Sequence, residues 1–192
     1  LRVQFLMDTA QKLAHDDDLP EAIHRLTEAK TLNPSLDFEP DEQAKTWRIQ
    51  HLMESAEELA RSNQLQTARA QLAEAKTLDP SLDVVPEAQA TTWRVEFLME
   101  TAEEFARGGD LPTASQWLAE ALELDPTLPF EPETRAEELA VAPYLREGQR
   151  LAQDGNVNGA IRAYLQAESR GLADHITAQD WNEICRLGST FD

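Results

Sequence analysis

The sequence predicts an all-α protein: a solenoid of four helix-turn-helix units with a C-terminal cap helix. Three observations predict it. Arg2, Arg48 and Arg94 recur every 46 residues, together with Leu6-Met7, Leu52-Met53 and Leu98-Met99 and with Pro34, Pro80 and Pro126, a period expected of helical repeat arrays. Within each unit the apolar residues fall three and four apart, the spacing of an amphipathic helix and not of a strand. A turn-forming cluster then falls at one phase: Asp16-Asp17-Asp18, Ser62-Asn63-Gln64, Gly108-Gly109-Asp110 and Asp154-Gly155-Asn156. The units span 1–40, 41–86, 87–132 and 133–174, and the cap helix 175–192.

The first helix carries the stripe Val3, Leu6, Met7, Ala10, Leu13 and Ala14. Leu1 aligns with Trp47 and Trp93, which lie inside their helices, so the chain is expected to begin part-way through a helix, as a fragment of a longer protein. Its open apolar end is then a surface for self-association. The second helix presents Leu19, Ala22, Leu26, Ala29 and Leu32 and stops before Pro34. Pro40 is placed to start the next helix, since a first-turn proline loses no hydrogen bond. That helix, from about Asp41 to Arg61, reaches roughly 30 Å at 1.5 Å per residue. Trp47 and Trp93 are expected to pack between such long helices, with exposed partner anchors as the alternative.

Leu65, Ala68, Leu72, Ala75 and Leu78 repeat the second-helix stripe. The fourth unit is diverged: Gly148, Ala152, Ala160 and Ala167 align with Ala102, Ala106, Ala114 and Ala121. The final segment starts with a capping box, Thr177 with Asp180, and places Trp181, Ile184 and Leu187 on one face. Such a helix covers the apolar side of the last unit.

The chain of 192 residues holds 17 Lys and Arg against 36 Asp and Glu, a formal charge of −19. A field of that sign opposes nucleic-acid phosphates and anionic membrane surfaces, so neither is an expected partner. A protein or peptide, basic or amphipathic, fits better. One cysteine, Cys185, excludes an internal disulfide framework, and neither a membrane-spanning run nor a signal peptide is recognisable, so the expected location is cytoplasmic.

No Gly-rich phosphate loop, nucleophile elbow or paired-histidine zinc motif occurs. His15, His24, His51 and His175 fall at different phases, which implies no duplicated metal site, and they read as solvated or packed side chains. A thiol enzyme using Cys185 and His175 is the catalytic alternative. Both residues flank a cap helix with no oxyanion hole nearby, and Cys185 is expected to be a buried structural thiol. The acidic cluster at 16–18 lacks the alternating spacing of a calcium loop and reads as a turn and helix entry. No catalysis, cofactor or metal is expected.

Small residues Ala10, Ala22 and Ala29 with Leu13, Leu26, a turn at Asp17 and Pro34 resemble a tetratricopeptide repeat. Later units keep the pattern through Gly109, Ala114, Ala121, Pro126, Gly155, Ala160 and Ala167. The resemblance covers the whole chain, with each unit longer than the family's by about a dozen residues. It implies a right-handed superhelix whose concave face, lined by the first helix of each pair, binds peptides or proteins. The corresponding positions are Gln4, Met7, Gln11 and His15; Gln50, Met53, Glu57 and Arg61; and Glu96, Met99, Glu103 and Arg107. Two readings of the methionines stay open: an exposed adaptable row, or core filling beside Leu6, Leu52 and Leu98. The Lys and Asn pairs with which one subclass grips peptide C-termini are replaced here by Met and Gln or Glu. The long linkers and the Trp181-Asn182, Cys185 and Gly188-Ser189 ending also resemble helical tails of multidomain bacterial signalling or defence proteins. The expected role is a non-catalytic interaction or recruitment module, with end-to-end assembly as the alternative.

Overall fold

The computed structural model describes residues 1–169 and 176–188, and no strand occurs among them. Its helices are α1 (Arg2–His15), α2 (Leu19–Leu32), α3 (Pro40–Arg61), α4 (Leu65–Leu78), α5 (Pro86–Gly108), α6 (Leu111–Leu124), α7 (Pro132–Gln153), α8 (Val157–Ser169) and α9 (Ala178–Gly188). The chain divides into two compact units, Leu1–Arg94 and Val95–Asp192, with the boundary inside α5. In the first, α1 packs on α2, both pack on α3, and α3 packs on α4. In the second, α6 packs on α7, α7 on α8, and α9 on both α7 and α8.

Local chemistry sets the helix ends. Asp17 (φ 67°), Asn63 (φ 64°), Gly109 (φ 89°) and Gly155 (φ 77°) all take the left-handed conformation after a first helix. The next residue's N–H then reaches back into the last turn: Asp18 to Leu13 O at 2.8 Å, Gln64 to Leu59 O at 2.7 Å, Asp110 to Phe105 O at 2.9 Å and Asn156 to Leu151 O at 2.8 Å. This closure satisfies carbonyls that the helix leaves open, and Asp, Asn and Gly are the residues that tolerate it. Asp18 and Asp110 go on to cap the second helices, accepting from Glu21 N and Thr113 N, each at 3.2 Å. After α2, α4 and α6, the side chains of Asn33, Asp79 and Asp125 accept from the hydroxyls of Ser35, Ser81 and Thr127 at 2.7, 2.6 and 2.6 Å. These bonds fold the chain into the linker before the next long helix.

Alanine fills most of the buried first-helix positions, so paired backbones approach closely around a leucine. In α1 and α2 the fully buried pair is Ala10 with Leu26, and in α3 and α4 it is Ala56 with Leu72. Trp47 joins the α1–α2 cluster together with Met7 and Phe38, while Trp93 packs with Met53 on the cluster that holds Val84. In the second unit Gly148 lies against Tyr164, whose ring meets Trp181 edge-on at 5.2 Å between centroids.

Two expectations fail. Cys185 is exposed, because Trp181 and Ile184 define the buried side of α9 and the residue after Ile184 is rotated about 100° away from it. Leu32 is 47% exposed, since it is the last residue of α2 and the chain turns away at Asn33. His175 and the start of the cap segment at 175 lie outside the described residues.

Candidate functional site

The residues singled out on the first helices form a recurring arrangement. On α1, Gln4 donates to Asp8 Oδ1 at 2.8 Å, and on α3, Gln50 donates to Glu54 Oε1 at 2.8 Å. Further along, Arg61 donates to Glu57 at 3.1 Å on α3 and Arg107 to Glu103 at 2.7 Å on α5. All are pairs four residues apart, so they share a helix face and hold one another at modest energy, about 0.3–0.5 kcal/mol each. Met7, Met53 and Met99 are half-buried at one phase of the three helices. Each packs with one side on a core cluster and keeps the other toward solvent, between the two sequence readings. Gln4, Gln11, Gln50, Glu96 and Arg107 are exposed, and Glu57, Arg61 and Glu103 half-buried. Phe5, also on α1, is 68% exposed.

In the second unit, Met99 borders a cleft of about 530 Å³. Leu128 and Phe130, from the linker between α6 and α7, add apolar lining. Glu131, Arg135 and Glu138 supply its polar groups, with Arg135 bound to Glu138 at 2.9 Å. Pro132 starts α7 here, so the linker and the first turns of that helix stand beside α5. Sequence reasoning named Met99 but not the linker residues, although Leu36, Leu82 and Leu128, and the apolar Phe38, Val84 and Phe130, recur at the 46-residue period.

A second constellation was also missed. Arg48 is 9% exposed on α3; its Nη1 donates to the carbonyl of His15, the last residue of α1, at 2.5 Å. Its Nε and Nη2 bind Glu74 Oε1 at 3.0 and 2.6 Å, and Asp17 stands 3.5 Å away. Arg94 likewise donates to the carbonyl of Arg61, the last residue of α3, at 2.6 Å. A cation at a helix C-terminus meets open carbonyls and the negative end of the dipole, which suits a buried guanidinium. Arg2 repeats the carboxylate half of the pattern with Glu28 at 2.7 Å. The available signal was an arginine in the buried phase of the helix, followed 26 residues later by glutamate.

His15 and His51 stack with ring centroids 4.4 Å apart and planes 8° from parallel. Burial holds the His15 pKa below its ordinary value, and the charges of His51 and Arg48 add to this, while Glu54 and Asp16 pull it upward. Among the described residues no group of three His, Cys, Asp or Glu side chains is placed to hold a metal. None of the described helices is long and apolar enough to cross a membrane. No family model matches the chain, and neither a curated protein nor a solved structure matches it.

Proposed function

We propose that the chain is a right-handed solenoid of tetratricopeptide-like units, acting as a non-catalytic module that binds a peptide or partner domain along its first helices. The supporting observation is that a half-buried methionine recurs on α1, α3 and α5, with polar side chains tied within their own helix around it. A thioether held on one side by the core adapts to varied apolar surfaces, and polar neighbours that are already ordered lose little entropy when a ligand is seated between them. The carboxylate excess favours ligands of positive charge and speeds their encounter.

The test is affinity selection of peptides from a random displayed library, followed by binding measurements on a variant carrying Met53→Ala, Glu57→Ala, Met99→Ala and Glu103→Ala. The selected peptide is expected to lose about tenfold or more in affinity, equivalent to at least about 1.4 kcal/mol. Unchanged affinity in a variant with normal helicity removes these residues from the binding surface.

A further inference from the structure

The cleft beside Met99 has a structural origin that the repeat makes visible. At the phase of Trp47 and Trp93, the third long helix carries Leu139. Trp47 packs on the same cluster as Met7 and Phe38, and Trp93 packs with Met53 on the cluster holding Val84. Leu139 belongs to the cluster that includes Met99 and Phe130, with a smaller side chain where the others have an indole. Leu139 thus gives its cluster a smaller apolar side chain than Trp47 and Trp93 give theirs, next to the Met99 and Phe130 that border the cleft.

The surrounding charge is specific about what would enter. Glu103 is occupied by Arg107 at 2.7 Å and Glu138 by Arg135 at 2.9 Å. Glu131 is exposed at the start of α7 and makes no cap bond through its side chain. Glu96 lies one turn before Met99 on the same face of α5 and is also exposed. Glu131 thus lines the apolar opening without a cap bond, and Glu96 lies on the helix that carries Met99, on a chain of net charge −19.

Resting on the reading that this surface binds peptides, we propose that the Met99 cleft seats one apolar side chain of a basic amphipathic peptide, with flanking Lys or Arg groups meeting Glu96 and Glu131. The opening is built from the linker and the first turns of α7, the stretch by which each unit is lengthened, together with Met99 of α5.

Fluorescence anisotropy on the full chain tests this with a short labelled peptide of Lys, Leu and Ala in helical amphipathic order. Two controls carry Ser for each Leu, or Glu for each Lys. The Lys/Leu peptide is expected to bind about tenfold more tightly than either control. Leu139→Trp, which installs the residue found at 47 and 93, is expected to abolish that preference. Glu131→Lys, at an exposed side chain, is expected to weaken binding and flatten its salt dependence even if the tryptophan variant folds poorly. Equal binding of the Lys/Ser control, or no response to Glu131→Lys, overturns the proposal, as does an absence of binding. Should affinity fall with Met53→Ala and Glu57→Ala but not with either cleft variant, the broader binding surface stands and the cleft assignment fails. Indifference to all four substitutions removes both.

Discussion

Two positive charges on imidazole rings stacked 4.4 Å apart repel each other. His15 ends α1 and faces His51 and Glu54 from α3, with Asp16 beside it and Arg48 bound to its carbonyl. Its folded pKa lies below the ordinary 6.5, first through burial and then through His51, so between the folded and unfolded values the unfolded chain binds more protons. Stability then rises with pH in that window: the contribution is complete above about 6.5 and is lost as pH falls toward the folded value. The depressed carboxyls of Asp79 and Asp125 act at lower pH, where their bonds to Ser81 and Thr127 are lost on protonation. Thermal melts from about pH 7.5 to about pH 5.5 are expected to show a decline that His15→Gln reduces. An unchanged slope in that variant would place the sensitivity elsewhere. Spacing does not reveal this pair, because 15 and 51 differ in phase and meet only through the packing of α1 on α3.

At the scale of helix pairs, small and large residues alternate at one sequence spacing. Ala10 shares a buried cluster with Leu26, Ala56 with Leu72 and Ala102 with Leu118, whereas at the same sequence spacing Gly148 lies directly against Tyr164. A Cβ at position 148 would stand 2.6 Å from Tyr164 Cδ1, well inside van der Waals contact. Gly148→Ala is expected to cost about 1–3 kcal/mol, because overpacking outweighs the roughly 1 kcal/mol gained from helix propensity. Tyr164→Leu alone leaves a cavity and costs about as much. The double variant recreates the Ala and Leu that stand 16 residues apart at 10 and 26, 56 and 72, and 102 and 118, and should recover most of the loss. Urea denaturation of all four proteins measures the coupling, and strictly additive losses would show that the two positions do not compensate. Helix positions, turns and the small-residue phase were readable from spacing, since each repeats four times. The departures at Leu32 and Cys185 were not, because whether a stripe's last residue is covered depends on where the chain turns next.

For the whole molecule, the all-helical class was legible because a period of 46 residues repeats the same apolar spacing, while the Met99 cleft was not. The volume of a cleft depends on side-chain size and on where the linker lies, and patterning records Leu and Trp alike simply as apolar. Charge is legible in full but its energetic sign has to be argued. The described ion pairs are mostly exposed and three or four residues apart, as with Arg25–Glu21 and Arg135–Glu138, each contributing at most about 1 kcal/mol. Even if each of the 17 Lys and Arg neutralised one carboxylate, the net charge of −19 would remain uncompensated and mutually repulsive. Salt screens pairs and repulsion alike over a distance of about 10 Å at 0.1 M. The repulsion acts among all the excess carboxylates, whereas the attraction is confined to short contacts that screening weakens less. Folding gathers these charges, so screening stabilises the folded chain more than the expanded one. Raising sodium chloride from about 0.02 M to about 0.5 M is therefore expected to increase Tm by several degrees at neutral pH. Chloride is the informative anion, because sulfate also strengthens apolar burial. A fall in Tm over the same range would mean that the local ion pairs, including the guanidinium contacts of Arg48, outweigh the repulsion of the whole.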